Sequence, residues 1–149
     1  MSVTSIKSKL FKAVSADTAA IAALQTLGGA GNMTLTGTSV SDGSNMDTTV
    51  TLTSTGNISG VTFTVTGTDA SGAAQTEDIT GPNNNTVTGS KKFLTVTQIA
   101  ADGAVATNTS AGFTATSGTA GIVFAGATRI RGLHGVSSST AGALIIRET

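Results

Sequence analysis

Threonine alternates with apolar residues through the middle of the chain, and this period of two constrains the fold more than any other feature. In TTVTLTS, Val50 and Leu52 fall on one face of an extended backbone. In GVTFTVTG, Val61, Phe63 and Val65 do the same. Successive side chains of a strand point to opposite faces, so each segment has one apolar face and one threonine face. Such segments are typical of strands that cover a core on one side only.

Short turn sequences separate the alternating segments, at Ser41-Asp42-Gly43, Thr55-Gly56-Asn57, Asp69 to Gly72, Gly81 to Asn85 and Asp102-Gly103. Many short strands between such turns predict an all-β fold, an antiparallel β-sandwich or small barrel. The low-complexity stretch 104–118 is interpreted as a long loop. The predicted core consists of the inward apolar positions Val50, Leu52, Val61, Phe63, Val65, Leu94, Val96, Val123 and Ile145.

The first part of the chain lacks the alternation and predicts an N-terminal arm over residues 1–30, ahead of a sandwich domain over 31–149. In SADTAAIAALQTL, Ser15 or Asp17 can cap a short helix that Gly28-Gly29 would end, although an extended arm fits as well. Upstream, apolar side chains interleave with lysines. This amphipathic segment either packs on its own domain or anchors the chain to another one, and its candidate interface residues are Ile6, Lys7, Lys9, Leu10, Phe11, Lys12 and Val14.

Charged residues are few and segregated. They make up 11% of the chain, where an ordinary domain carries about a quarter, and the net charge is zero. Three lysines lie in the first dozen residues, none of the residues 13–90 is basic, and Arg129 and Arg131 mark a basic C-terminal strand that is a second candidate interface. This layout suits packing between copies or against an oppositely charged partner. Nucleic-acid binding is not expected, because the chain lacks a basic stripe and stacking aromatics.

Residues for chemistry are scarce. His134 is the only histidine, cysteine is absent, and no Gly-x-Ser-x-Gly motif supplies a nucleophile. The oxygen ligands of Asp42, Asn45 and Asp47 are too few for calcium, which takes six to eight. We therefore predict no catalytic residue, no metal site, no cofactor and no enzymatic activity. No apolar run approaches the ~20 residues of a membrane span, and no export signal is visible, so synthesis in the cytoplasm without membrane association is expected.

Residues 50–99 resemble a module of small structural proteins of tailed bacteriophages. The resemblance is carried by a Thr-rich strand, the Ser-x-Gly-Asn-x-Ser-Gly motif ending at Gly60, a strand centred on Phe63, the Gly-Thr-Asp-x-x-Gly motif at 67–72, and Thr-Glu-x-Ile-Thr-Gly-Pro-Asn at 76–83 followed by Lys92-Phe93. The tail, ATRIRGLHGVSSSTAGALIIRE, is similar to a paired-strand segment of phage virion proteins. These motifs form turns and carry no catalytic group.

The resemblance implies a virion structural protein, most closely a capsid decoration (cement) protein that bridges and stabilises shell subunits. The implied partners are further copies of the chain, with a trimer favoured by symmetry, and the major capsid protein or other virion proteins. A neck, tail, baseplate or fibre component is the alternative within the same class. A carbohydrate-binding adhesin is disfavoured because the chain has no Trp or Tyr for a sugar platform, and a hydrolase because of the single histidine.

Overall fold

The computed structural model describes residues 14–36 and 47–115. These residues form eight β-strands and contain no helix, which confirms the all-β prediction. The strands are β1 (Asp17–Leu27), β2 (Gly31–Asn32), β3 (Thr48–Ser54), β4 (Thr62–Thr68), β5 (Ala74–Thr80), β6 (Thr86–Phe93), β7 (Thr95–Ala101) and β8 (Val105–Phe113).

The strands make two four-stranded sheets. The first sheet has the order β1-β8-β3-β6 and the second the order β2-β7-β4-β5. All pairs are antiparallel, as expected for a sandwich built from short connections. The predicted turns at 55–57, 69–72, 81–85 and 102–103 all fall between strands, so the turn residues were assigned correctly within the described part of the chain.

The inner faces of the two sheets supply the core that the alternation predicts. Five of the predicted core residues are buried, and Phe63 has no exposed surface. Val61 is half-buried and packs against them, while Leu94 is half-buried in the short link between β6 and β7. Val123 and Ile145 lie outside the described residues. The buried predicted positions are Val50, Leu52, Phe63, Val65 and Val96.

Of the two alternatives for SADTAAIAALQTL, the short helix is wrong and the extended chain is confirmed, because residues 17–27 form β1. An isolated helix this short is marginal, whereas a strand here pairs its backbone with β8 and buries Ile21 and Ala22. Asp17 caps no helix; its Oδ1 accepts a hydrogen bond from the amide of Ala19 at 2.9 Å. Because β1 is a strand of the first sheet, the sandwich starts before the predicted boundary at residue 31.

The loop expected over 104–118 is also wrong within the described residues. β8 occupies Val105–Phe113 and lies between β1 and β3, so it is hydrogen-bonded along both edges. Its last five residues, 109–113, are all buried. Small residues such as Ser110, Ala111 and Gly112 weaken the apolar alternation, but they let neighbouring chain segments approach both faces of this strand.

One open side of the sandwich is closed by two polar side chains of β5. Glu77 and Gln75 occupy inward positions on this edge strand and reach across to β6, whose pairing with β3 shifts register between Thr49 and Thr51. The Glu77 carboxylate accepts hydrogen bonds from the amides of Ser90 and Lys91 in this irregular part of β6. Gln75 donates to the Lys92 carbonyl. Ser90 and Lys91 lie in the stretch of β6 that has no partner residue in β3, so Glu77 supplies the acceptor for their amides.

The opposite side is closed by the segment that follows β2. The side-chain amide of Gln25 on β1 imitates a strand: its Oε1 accepts from the Thr34 amide at 2.8 Å and its Nε2 donates to the Thr34 carbonyl at 3.0 Å. The Thr36 amide donates to the Ile21 carbonyl at 2.9 Å, and the Met33 amide to the Ile99 carbonyl at 2.8 Å. The segment thereby joins β7 of one sheet to β1 of the other.

The first prediction concerns the core. Phe63→Ala should lower the free energy of unfolding by about 3–5 kcal/mol, because it leaves a cavity at the centre of the second sheet. Urea unfolding followed by circular dichroism measures the change. Leu24→Ala is the control, since Leu24 is 59% exposed and its truncation should cost little. Equal losses for the two variants would contradict the assignment of Phe63 to the core.

The second prediction concerns the closure by Glu77. Glu77→Ala leaves the Ser90 and Lys91 amides without their acceptor and should cost about 1–3 kcal/mol of unfolding free energy. Glu77→Gln keeps an acceptor oxygen at the same place and should cost less. Asp78→Ala, one residue along on the outer face, provides the comparison by the same urea measurement. A Glu77→Ala variant as stable as the parent would show that the contact does not close the sandwich.

Candidate interaction surface

The outer faces of the two sheets differ in how far the chain itself covers them. On the first sheet, Thr51 is 5% exposed and Ser110 is 2% exposed, although both point away from the core. The beginning of β1 crosses this face, where the Ser110 hydroxyl donates to the Thr18 carbonyl at 2.9 Å. A side chain at Gly112 would collide with the backbone of Asp17 and Thr18. The alternation predicted that Thr51 is exposed, which is wrong, since Thr51 is buried. The start of β1 covers part of this outer face at Ser110 and Gly112.

The outer face of the second sheet is not crossed in this way by any segment of residues 14–36 and 47–115. We call it the threonine face, and it comprises the outward residues of β4, β5 and β7, paired in register across the sheet. All of them are exposed or half-buried. Its members are Thr62, Thr64, Thr66 and Thr68 of β4, Ala74, Thr76, Asp78 and Thr80 of β5, and Thr95, Gln98 and Ala100 of β7.

The threonine face presents stiff side chains in a regular array. Outward residues repeat about every 6.7 Å along a strand and about every 4.8 Å between strands. Hydrogen bonds fix several polar groups in this array. The Thr64 hydroxyl donates to Asp78 Oδ1 at 2.7 Å, and Gln98 Nε2 donates to Asn32 Oδ1 on β2 at 2.8 Å. Because threonine is already restricted at χ1, covering this face with a partner would cost little side-chain entropy.

The charge on this face is low and negative. Asp78 lies within it, and Asp102 lies at its end, where Asp102 Oδ1 accepts from the Thr62 amide at 2.8 Å. The lysines of the described residues, Lys91 and Lys92, belong to β6 of the other sheet. Lys91 Nζ reaches the Thr76 carbonyl at 2.7 Å, which is a backbone group at the sheet edge. The face therefore combines neutral hydroxyls with two carboxylates.

Of the interface residues predicted from sequence, the structure describes Val14, which is half-buried and packs against the core of its own sandwich. The other six arm residues, the basic pair Arg129 and Arg131, and His134 lie outside the described residues. Within the described ranges, no group of three or more His, Cys, Asp or Glu side chains is placed to hold a metal ion. No helix among the same residues is long and apolar enough to cross a membrane.

The threonine face was only partly visible in the sequence. The alternation placed Thr62, Thr64 and Thr66 together on the outside of β4, as the structure does. It could not show that Asp78 and Gln98 join them, because that depends on the register of β4 with β5 and β7.

No protein-family model, curated protein or solved structure matches the chain. The resemblance of residues 50–99 to phage structural proteins stays a prediction from the motifs in the sequence. In the fold two of these motifs lie in the connections on either side of β4, residues 56–60 between β3 and β4 and residues 69–72 between β4 and β5, and the motif at 76–83 covers the end of β5 and the turn after it. They thus accompany the strand at the centre of the threonine face.

The turn between β4 and β5 is held by one carboxylate. Asp69 Oδ1 accepts from the Ser71 hydroxyl at 2.6 Å, the Ser71 amide at 2.8 Å and the Ala73 amide at 3.0 Å. These bonds, with the Ser71 side chain as the largest contributor, lower the pKa of Asp69 below its ordinary value. The contribution to stability is complete above the ordinary pKa and is lost as the pH falls through the lowered one.

The third prediction follows from this turn. An NMR titration of the Asp69 carboxyl should give a midpoint below that of an unperturbed aspartate. Ser71→Ala removes the hydroxyl donor, and the Asp69 midpoint should then rise toward the ordinary pKa. A midpoint that does not change in Ser71→Ala would show that this hydrogen bond does not stabilise the ionised carboxyl.

Proposed function

We propose that this chain is a structural protein of a bacteriophage virion, of the capsid decoration (cement) type, which binds shell subunits and bridges them. The observation that carries the proposal is the threonine face, an exposed sheet surface of neutral hydroxyls with two carboxylates, on a sandwich whose sides are closed. The motif resemblance around β4 supports the same class of protein. The virion is the proposed location, after synthesis in the host cytoplasm.

In the proposed mechanism the protein binds its partners non-covalently and catalyses no reaction. The centres of protein interfaces are depleted in charge, and the threonine face meets that requirement while keeping hydroxyls that pair with a partner's backbone. The proposed partners are other copies of the chain, with a trimer favoured at a threefold point of the shell, and the major capsid protein. Many weak contacts, repeated over a symmetric shell, sum to strong binding because each bound copy raises the local concentration of the next contact.

A neck, tail, baseplate or fibre component is the second candidate. The motifs resemble those of phage structural proteins in general and do not distinguish a head protein from a tail protein. A flat polar face could bind a neighbouring subunit in either location. The two locations differ in stoichiometry, because a decoration protein follows the symmetry of the whole shell. A decoration protein should be present in on the order of hundreds of copies per particle, and a neck or tail component in tens or fewer.

The fourth prediction tests the role of the face. Thr66→Arg places a bulky charge at the centre of the threonine face, and it should abolish binding of the purified protein to particles that lack it. Asn108→Arg is the matched control, because Asn108 is an exposed strand residue on the outer side of the other sheet. Co-sedimentation with particles measures binding, and quantitative mass spectrometry of the particles gives the copy number.

The controls for this experiment separate folding from binding. Both variants should unfold at urea concentrations close to that of the parent, since both positions face solvent. His134→Ala should bind particles normally, because no turnover is proposed for the chain. Binding of Thr66→Arg as strong as that of the parent would remove the threonine face from the interface, and absence of any binding by the parent would contradict the decoration role.

A further inference from the structure

We propose that Lys91 prevents the free edge of β5 from pairing with β5 of a second copy of this chain. The inference concerns the edge of the second sheet and does not rest on the proposed function. Three observations carry it: the direction of the backbone groups of β5, the position of the Lys91 ammonium, and the regularity of β5 among the outer strands of the sandwich.

The pairing of β4 with β5 determines which backbone groups point to the free edge. β5 pairs with β4 over all seven of its residues without a register shift. In an antiparallel pair, residues that exchange hydrogen bonds with the neighbour alternate with residues whose amide and carbonyl point away from it. The Gly81 amide donates to the Val61 carbonyl at 2.8 Å, in the same register, so Ile79, Glu77 and Gln75 bond to β4. The edge-facing residues are therefore Ala74, Thr76, Asp78 and Thr80.

The Lys91 ammonium occupies an acceptor at the middle of this edge. Lys91 Nζ donates to the Thr76 carbonyl at 2.7 Å. A strand added to the edge would place its own amide about 2.9 Å from the same carbonyl, so the ammonium and the strand exclude each other. Within residues 14–36 and 47–115, no other group is hydrogen-bonded to the edge-facing amides and carbonyls of β5. Lys91 is thus the group that a second strand has to displace.

Two β5 strands fit together as an antiparallel pair about a twofold axis at Thr76. In that register Thr76 lies opposite its own equivalent, and their edge-facing amides and carbonyls bond to each other. Glu77 lies opposite Gln75 and not opposite another carboxylate. The same axis would bring the two Lys91 ammonium groups together, since each is bound to the Thr76 carbonyl of its own copy. The lysines therefore oppose the pair by their bulk and by repulsion of like charges.

β5 is the most regular of the outer strands, which is why its edge needs protection. The outer strands of the two sheets are β1, β6, β2 and β5. β1 and β6 have register shifts where they pair with their neighbours, and β2 has two residues. A long and regular edge is the kind most prone to pair with another chain, and lysine on the edge is a common means of preventing it.

Replacement of Lys91 in the full-length chain tests the proposal. Lys91→Ala should strengthen self-association by about tenfold or more in sedimentation equilibrium, because it removes both ammonium groups from the pairing axis. Lys92→Ala is the matched control. It removes the same charge from the next residue of β6 and should associate like the parent.

A proline at the edge locates the new contact. The double variant K91A/T76P lacks the edge-facing amide of Thr76 and keeps the ladder with β4, because proline is tolerated where the amide points away from the sheet. It should lose the added association. Amide hydrogen exchange gives a second measurement. In Lys91→Ala the Thr76 and Asp78 amides should exchange more slowly at concentrations that favour association than in dilute solution, whereas those of the parent should exchange at the same rate in both.

Each outcome decides for or against the inference. Unchanged association of Lys91→Ala would overturn it, and so would equal gains by Lys91→Ala and Lys92→Ala. A gain without slower exchange at Thr76 would place the contact elsewhere and overturn it too. If K91A/T76P does not fold, the exchange at Thr76 decides alone. Particle binding by the Thr66→Arg and Asn108→Arg variants is measured separately, so the decoration role can fail or hold independently of this edge.

Discussion

Each sheet of this protein has one apolar face, and the fold depends on bringing the two faces together and closing the sides between them. Phe63, Leu52 and Ile99 are removed from water only because the sheets meet. Two open sheets in contact would leave backbone groups at their sides without partners, which is costly in a core and invites pairing with other chains. Side-chain carboxylate and amide groups solve the problem here where strand pairing stops.

The two sides of the sandwich are closed by different side-chain groups, a carboxylate on one side and an amide on the other. Glu77 is an inward-facing charge on an edge strand, and its carboxylate accepts from two amides of β6. Gln25 pairs both its amide groups with one residue of the segment after β2, as a neighbouring strand would do. Gly89 leaves room for the Glu77 carboxylate, because a side chain there would run into it. Polar residues at inward positions are thus required by the architecture.

Because the sides of the sandwich are closed, the outer faces of the two sheets are the larger surfaces, and they differ from each other. One outer face is crossed by its own chain at Gly112, and the other presents threonines with two carboxylates. Because the chain has few charges, copies of it repel each other only weakly. Because threonine side chains are already restricted at χ1, a partner that covers them loses little side-chain entropy. The proposed decoration role uses this asymmetry.

The sequence by itself determined the β class, the described turns and the buried positions of β3 and β4, because period-two alternation and turn residues act locally along the chain. It left β1 open between a helix and an extended arm, and it took β8 for a loop. Ala-rich segments such as that around Ala22 favour a helix locally, Gly/Ser-rich segments such as that around Gly112 favour turns, and pairing with neighbouring strands decided both conformations. Tertiary structure alone decided which threonines are exposed. Thr51 and Thr64 occupy equivalent places in the alternation, yet Thr51 is buried and Thr64 is partly exposed. Thr51 pairs with Gly112, and the start of β1 lies against the outer side of Gly112, which no sequence pattern indicates.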